Sequence, residues 1–111
     1  MARGETPVAD TILDITAASL ARTELDDRVL ILVRLAALAA VDAPVASYLL
    51  HIGAAAEAEV TLDDAEDVLC AIASIVGTPR TAAAAGRITE ALSVAMTAIA
   101  DAVEAGEDAE A

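Results

Sequence analysis

Apolar residues recur along the chain at intervals of three and four, and nowhere do they alternate with polar residues. This spacing predicts helices and no strands. Thr6 and Pro7 suit the start of a first helix, because proline favours the first helical turn, and this helix should run to about Ala21. Thr23 can cap a second helix that extends to about Val41.

The sequence DAP at positions 42–44 interrupts the pattern and predicts a boundary, with Pro44 in the first turn of a third helix. In that helix Tyr48, His51 and Ala55 follow one another at spacings of three and four. Residues with this spacing lie on the same face of a helix. The third helix should therefore present a tyrosine, a histidine and an alanine together.

A fourth helix is predicted to begin after Thr61, whose hydroxyl can cap it while the acidic first turn complements the helix dipole. Gly77 is the expected left-handed residue at its C-terminal end. The residues that should form its buried stripe are Leu62, Ala65, Leu69, Ile72 and Val76.

The last helix should start at once with Thr78 and Pro79 and continue for many turns. Residues 104–111 form an acidic tail that we expect to fray and to be solvated. Residues 1–111 are thus predicted to form one all-α domain of about five helices. The continuous apolar line of the last helix contains Ile88, Leu92, Ala95 or Met96, Ile99 and Val103.

The composition limits the partners of the protein. A net charge of −13 opposes binding to nucleic acid or to an anionic membrane. The longest uncharged run, residues 43–56, is shorter than the roughly 18 apolar residues that a membrane span needs. Residues 1–10 lack the apolar core of a signal peptide, and the single cysteine excludes an intrachain disulfide, so we expect a cytoplasmic protein.

Apolar residues make up 58% of the chain, but Tyr48 is its only aromatic residue. A core of alanine and aliphatic side chains lets helices approach closely but removes little surface from water, at about 25 cal/mol per Å². We therefore expect a homo-oligomer in which helix faces are buried between subunits. The abundance of alanine, with arginine as the only basic residue apart from histidine, is typical of a bacterial genome rich in G and C.

His51 is the only histidine, and the ordinary pKa of an imidazole is the one best suited to proton transfer near neutral pH. It can equally be a structural residue that is hydrogen-bonded within its own helix, to Ser47 or Tyr48. Cys70 has no basic neighbour within a turn and is predicted to be a small buried apolar residue. The acidic run at 63–67 is predicted to be a solvated first helical turn, without metal.

From about residue 25 to residue 92 the chain resembles the carboxymuconolactone decarboxylase family, which includes the alkylhydroperoxidase D-like proteins. The matching segments are LDDR at 25–28, His51 with the alanine-rich stretch that follows it, VTLDDAEDVL at 60–69 and GTP at 77–79. The resemblance implies an all-α fold and homo-oligomers, commonly trimers or hexamers, with sites between subunits.

The chain departs from the redox-active members of that family. Those members carry Cys-x-x-Cys where this chain has Pro44 and Ser47, and a glutamate where it has Ile31 or Leu32. Because a thiol peroxidase needs a nucleophilic thiolate, peroxidase activity is not expected. A further departure is Glu59, where the family often has glycine; if φ is positive there, glutamate costs about 1 kcal/mol more than glycine.

The decarboxylase branch of the family lacks the two cysteines and keeps the histidine. The resemblance therefore implies action on a small carboxylated lactone or related acid, with His51 moving a proton and Arg28 or Arg34 binding a carboxylate. No cofactor or metal is implied. Two alternatives remain open: a degenerate, non-catalytic member that serves as a helical binding or scaffold protein, and a helical adaptor outside the family.

Overall fold

The structure is a computed structural model that describes the backbone of residues 6–110 and the side chains of residues 6–106. All regular structure in this part of the chain is helical, which confirms the predicted all-α class. No described helix is both long enough and apolar enough to cross a membrane. The five helices are α1 (Pro7–Arg22), α2 (Asp27–Ala40), α3 (Val45–Glu57), α4 (Leu62–Val76) and α5 (Thr78–Glu110).

Two of the predicted helix starts need correction. The residue that caps α2 is Asp26, whose carboxylate accepts the Val29 amide proton at 2.8 Å. Thr23, predicted to be this cap, instead ends α1, and its hydroxyl accepts the amide proton of Leu25. Pro44 lies one position earlier than predicted, since it is the residue that precedes the first turn of α3.

The junctions on either side of α4 follow the sequence more closely. Thr61 and Asp64 form a reciprocal capping box, in which each side chain accepts the backbone amide proton of the other residue. Gly77 has the positive φ expected at the end of α4, +95°, but its ψ of 157° lies outside the left-handed helical region. This extended conformation turns the chain directly into α5.

The core lies among α2, α3, α4 and α5, which pack against one another. At its centre the most deeply buried residues are alanines, Ala39, Ala84 and Ala91, which are at most 1% exposed. Alanine at such positions lets helix backbones approach closely, as the composition suggested. The other buried residues are Ile31, Leu35, Ala43, Tyr48, Ala65, Leu69 and Ile88.

Two segments lie outside this core. No residue of α1 is buried, and no Cα atom of α1 lies within 8 Å of a Cα atom of another helix. From Met96 to residue 106 every residue of α5 is exposed. The radius of gyration, 16.6 Å, accordingly exceeds the roughly 13 Å expected for a compact chain of this length.

The prediction that the helix frays from residue 104 is wrong for the backbone, because α5 continues to Glu110. Alanine and glutamate are strong helix formers, and they outweigh the acidic charge of this segment. The predicted solvation of side chains 107–111 concerns residues whose side chains lie outside the described part of the chain.

Arginines join the helices through contacts at their ends. Arg28 of α2 forms an ion pair with Asp64 at 2.9 Å and donates a hydrogen bond to the Glu59 carbonyl at 3.1 Å. On α5, Arg87 pairs with Asp42 and donates to the carbonyl of Ala43. These contacts tie the two short connections around α3 to the neighbouring helices.

We expect the variant Asp64→Asn to be less stable than the wild type near neutral pH. The free energy of unfolding of the variant should also decrease less than that of the wild type as the pH is lowered. Hydrogen bonding from Arg28, and then from Thr61, holds the pKa of Asp64 well below its ordinary value of 3.8. A depressed folded-state pKa adds stability above pH 3.8, and this stability is lost as the pH falls below it. Thermal unfolding from pH 7 to pH 2.5 measures the effect.

The matched control is Asp63→Asn, in the same helical turn, where no side-chain hydrogen bond or ion pair is present among the described residues. The stability difference between the two variants should be largest near neutral pH and should shrink as the pH falls below 3.8 toward the depressed pKa of Asp64. Equal behaviour of both variants at every pH would contradict the role assigned to Asp64.

We expect Glu59→Gly to stabilise the protein by up to about 1 kcal/mol, because Glu59 has a φ of +60° and a left-handed conformation is unfavourable for residues with a Cβ atom. The control is Glu66→Gly, in the interior of α4, which should destabilise by roughly 1 kcal/mol. Urea unfolding measures both. A loss of stability in Glu59→Gly would show that the side chain contributes more than its backbone conformation costs.

Candidate functional site

His51 lies on the face of α3 predicted from its spacing, together with Tyr48 and Ala55. The imidazole is half-buried and borders a cavity of about 60 Å³ in the core. Almost all the other side chains around this cavity are apolar. They are Leu35, Tyr48, Ile52, Ala55, Val60, Thr61, Leu62, Ala65, Ile88 and Leu92.

The hydrogen bond of His51 identifies its neutral tautomer. Nδ1 lies 2.8 Å from the backbone carbonyl oxygen of Ser47, one turn earlier in α3. A carbonyl oxygen only accepts, so Nδ1 carries the proton and Nε2 of the neutral ring has a free lone pair. Nε2 has no hydrogen-bond partner among residues 6–106. Of the two partners considered, Ser47 and Tyr48, His51 contacts Ser47, through its backbone carbonyl and not its hydroxyl.

Arg34 shares a second cavity with His51. This open groove, of about 260 Å³, lies between α1 on one side and α2 and α3 on the other. Arg34 Nη2 donates a hydrogen bond to the Ser19 hydroxyl at 3.3 Å, which links α2 to α1. The residues around the groove are Ile15, Thr16, Ser19, Arg34, Ala37, Leu38 and His51. The structure thus brings two of the three predicted site residues to one groove.

Arg28, the third predicted site residue, lines neither of the cavities that His51 lines. Its guanidinium group is engaged by the Asp64 carboxylate and by the Glu59 carbonyl oxygen. In this structure Arg28 joins α2 to the start of α4.

Cys70 is exposed, so the prediction of a buried small residue is wrong. It follows Leu69, which is buried, and successive helical residues point about 100° apart. Cys70 therefore lies beside the apolar stripe of α4 and borders an open groove between α4 and α5. Ile31 is buried in the core. It is one of the two positions at which redox-active members of the family that the sequence resembles carry a glutamate.

One polar residue near the site, Ser19, was missed by reasoning from the sequence, which also did not show the burial of Tyr48. Ser19 reaches Arg34 only because of how α1 lies against α2, and no local pattern signals that contact. Tyr48 is 2% exposed, and its hydroxyl is buried without a hydrogen-bond partner in the described part of the chain. Burial raises the pKa of Tyr48, with Asp42 adding to the rise and Arg87 opposing it.

No group of three or more potential metal ligands occurs among the described residues. Comparisons with protein-family models, with curated proteins and with solved structures found no match to this chain.

We expect Tyr48→Phe to be as stable as the wild type or more stable, because it removes a buried hydroxyl whose missing hydrogen bond costs about 1–3 kcal/mol. The control Tyr48→Ala removes the ring as well and should cost about 3–5 kcal/mol. Thermal and urea unfolding measure both variants. A loss of more than about 1 kcal/mol in Tyr48→Phe would mean that the hydroxyl is hydrogen-bonded in solution.

Proposed function

We propose that this protein acts on a small carboxylated lactone or a related acid in the groove between α1, α2 and α3. Arg34 binds a carboxylate of the substrate, and His51 transfers a proton. The observation that supports this proposal is the presence of Arg34 and His51 in one groove, with a free lone pair on His51 Nε2. The resemblance to the decarboxylase branch of the carboxymuconolactone decarboxylase family implies His51 with either Arg28 or Arg34, and the shared groove favours Arg34.

Arg34 suits this role because of its position in the groove. A guanidinium group can donate two parallel hydrogen bonds to one carboxylate, which fixes the orientation of the ligand. Its present partner in the groove is a neutral hydroxyl, that of Ser19, at 3.3 Å. An anionic ligand would be a stronger acceptor and would replace this contact or share it. In a protein of net charge −13, such a cation is also the means of attracting an anionic substrate.

The proton chemistry follows from the tautomer of His51. In a decarboxylation the bond between carbon and carboxylate breaks, carbon dioxide leaves, and the electron pair that remains on carbon takes up one proton. Nε2 can accept a proton from solvent and deliver it to that carbon, while Nδ1 stays bonded to the Ser47 carbonyl. This bond fixes the orientation of the ring throughout the transfer.

The dimensions of the two cavities favour the groove as the place of the substrate. The core cavity of about 60 Å³ is far smaller than a small-molecule site. The groove of about 260 Å³ approaches the size of a small-molecule site, which is about 300–1,000 Å³. A lactone would therefore occupy the groove, with the apolar cavity behind the imidazole.

The proposal includes a homo-oligomer, a trimer or a hexamer, as the resemblance implies. The exposed apolar side chains of α1 support association, since Val8, Ile12, Leu13 and Ile15 are each more than half exposed. Exposed apolar side chains on one helix favour burial against another subunit. Because α1 also forms one wall of the groove, association would hold that wall in place.

A non-catalytic function is the second candidate. Redox-active members of the family that the sequence resembles have cysteines and a glutamate at positions where this chain has residues that cannot perform the same chemistry. Two of these residues support the fold instead, since Ile31 lies in the core and Pro44 precedes the first turn of α3. In this case the groove would bind a small acid without turnover, or the helices would serve as an oligomeric scaffold. Peroxidase activity is excluded from both proposals.

We expect His51→Gln to lower kcat for release of carbon dioxide from a carboxylated lactone by about 10²–10⁴-fold, because an amide cannot transfer the proton. Arg34→Gln should raise KM about tenfold to hundredfold, which corresponds to one lost charge-assisted hydrogen bond of about 1.5–3 kcal/mol. The control is Arg22→Gln, an exposed arginine at the end of α1 that does not line the groove.

Turnover that survives His51→Gln would make His51 structural and contradict the catalytic assignment. If the wild type binds the lactone without turnover, shifts of the His51 ring signals in NMR that disappear in Arg34→Gln would support the non-catalytic candidate. If the wild-type protein neither binds the lactone nor converts it, both uses of the groove are refuted.

A further inference from the structure

The outer part of α5 carries an apolar stripe that no helix of the same chain covers. Leu92, Met96, Ile99 and Val103 follow one another at spacings of four, three and four. At 100° per residue they lie within an arc of about 60° on one side of the helix. Leu92 is half-buried against the core, whereas Met96, Ile99 and Val103 are 68%, 63% and 55% exposed.

The stripe continues the buried face of α5 past the end of the bundle. Ile88 and Ala91 are buried. The start of α4, at Leu62, is the last part of the described chain that lies beside this face of α5. Leu62 borders an open groove on α5 with Leu92 and Met96, and is itself 44% exposed. Beyond this groove the apolar face has no neighbour among residues 6–106. A further helix laid along the stripe would therefore extend the existing core.

From residue 92 to residue 106 the flanks of the stripe carry no charge. The neighbouring positions on its two sides are small, with Ser93 and Ala100 on one side and Ala95 and Ala102 on the other. The charged residues of this part of α5, Arg87, Glu90, Asp101 and Glu104, all lie at least about 100° away from the centre of the stripe. The stripe is thus a neutral surface on a protein of net charge −13.

We propose that the stripe of α5 pairs with the same stripe of a second copy in antiparallel orientation. Repulsion between two copies of an acidic protein is strongest where like charges meet directly, and the described part of this surface places none opposite one another. Large side chains alternating with alanine and serine let one copy place its large residues against the small residues of the other, as in close-packed helix pairs. An external anionic or cationic helix would find no charged group along the stripe to pair with.

The antiparallel orientation follows from the position of the four-helix core at the N-terminal part of α5. If the two helices ran in opposite directions, the two cores would lie at opposite ends of the pair. Each exposed segment of α5 would then fill the groove beside Leu62 of the other copy. The pairing is a two-fold contact, in which the same surface is used by both copies, so the number of subunits must be even. A hexamer satisfies this condition and an isolated trimer does not.

This inference rests on the association included in the proposed function, but not on chemistry at His51. The test compares Ile99→Glu with Val94→Glu, measured by sedimentation velocity and light scattering over a range of protein concentrations. Val94 is 47% exposed on the opposite side of the same helix, which makes it a matched control. We expect the wild type and Val94→Glu to contain an even number of subunits, and Ile99→Glu to lose the two-fold contact, which halves the mass of the particle.

Met96→Glu should reproduce the effect of Ile99→Glu, and circular dichroism should show that the helix content of both variants is unchanged, since both side chains are exposed in the single chain. A wild-type monomer would refute the association itself. An odd-numbered wild-type oligomer, or an oligomer whose mass survives both substitutions, would leave association in place and refute pairing through α5. Dissociation of Val94→Glu to the same extent would equally refute the assignment to this stripe.

Discussion

The close packing of helices at alanine residues is the constraint on which the rest of this structure depends. Ala39, Ala84 and Ala91, on α2 and α5, are almost completely buried. Their small side chains let the four core helices approach closely, but each removes little surface from water. The core therefore leaves many large apolar side chains exposed, above all on α1 and on the outer part of α5. The surfaces available for association are a direct consequence of how the core is built.

Polar contacts at the helix ends compensate for the small core by fixing the connections. Asp64 both caps α4 and pairs with Arg28, so a single carboxylate links the start of one helix to the side of another. On the other side of α3, Arg87 holds Asp42. Among the residues that the structure describes, the non-glycine residues with positive φ are Asp42 and Glu59, and both occur in these connections. The backbone carbonyl of Glu59 accepts a hydrogen bond from Arg28, and the carboxylate of Asp42 accepts one from Arg87.

The candidate site results from the meeting of three helices. His51 is oriented by its own helix, through Ser47, whereas Arg34 and Ser19 come from α2 and α1. The groove therefore depends on the placement of α1, a helix with no buried residue of its own. If association fixes α1, the assembly of the protein and the geometry of its site are coupled. This coupling gives a physical reason for placing a site beside a weakly packed helix.

Local sequence was enough to predict the helical class, the approximate bounds of the five helices, the cap at Thr61 and the shared face of Tyr48 and His51. These features depend on interactions within one or two turns, which the order of residues determines directly. The cap of α2 was misassigned because Thr23 and Asp26 are both good capping residues, and only the actual path of the chain selects between them.

Tertiary structure alone decided which arginine lies beside His51, since Arg28 and Arg34 belong to the same helix and carry the same charge. Arg28 meets Asp64, thirty-six positions away, and Arg34 faces the groove. It also decided that Cys70 is exposed and that the apolar line of α5 is buried only in its first part. The periodicity of a helix identifies its apolar face, but it does not show where the neighbouring helices end. That depends on the lengths and crossing positions of α3 and α4.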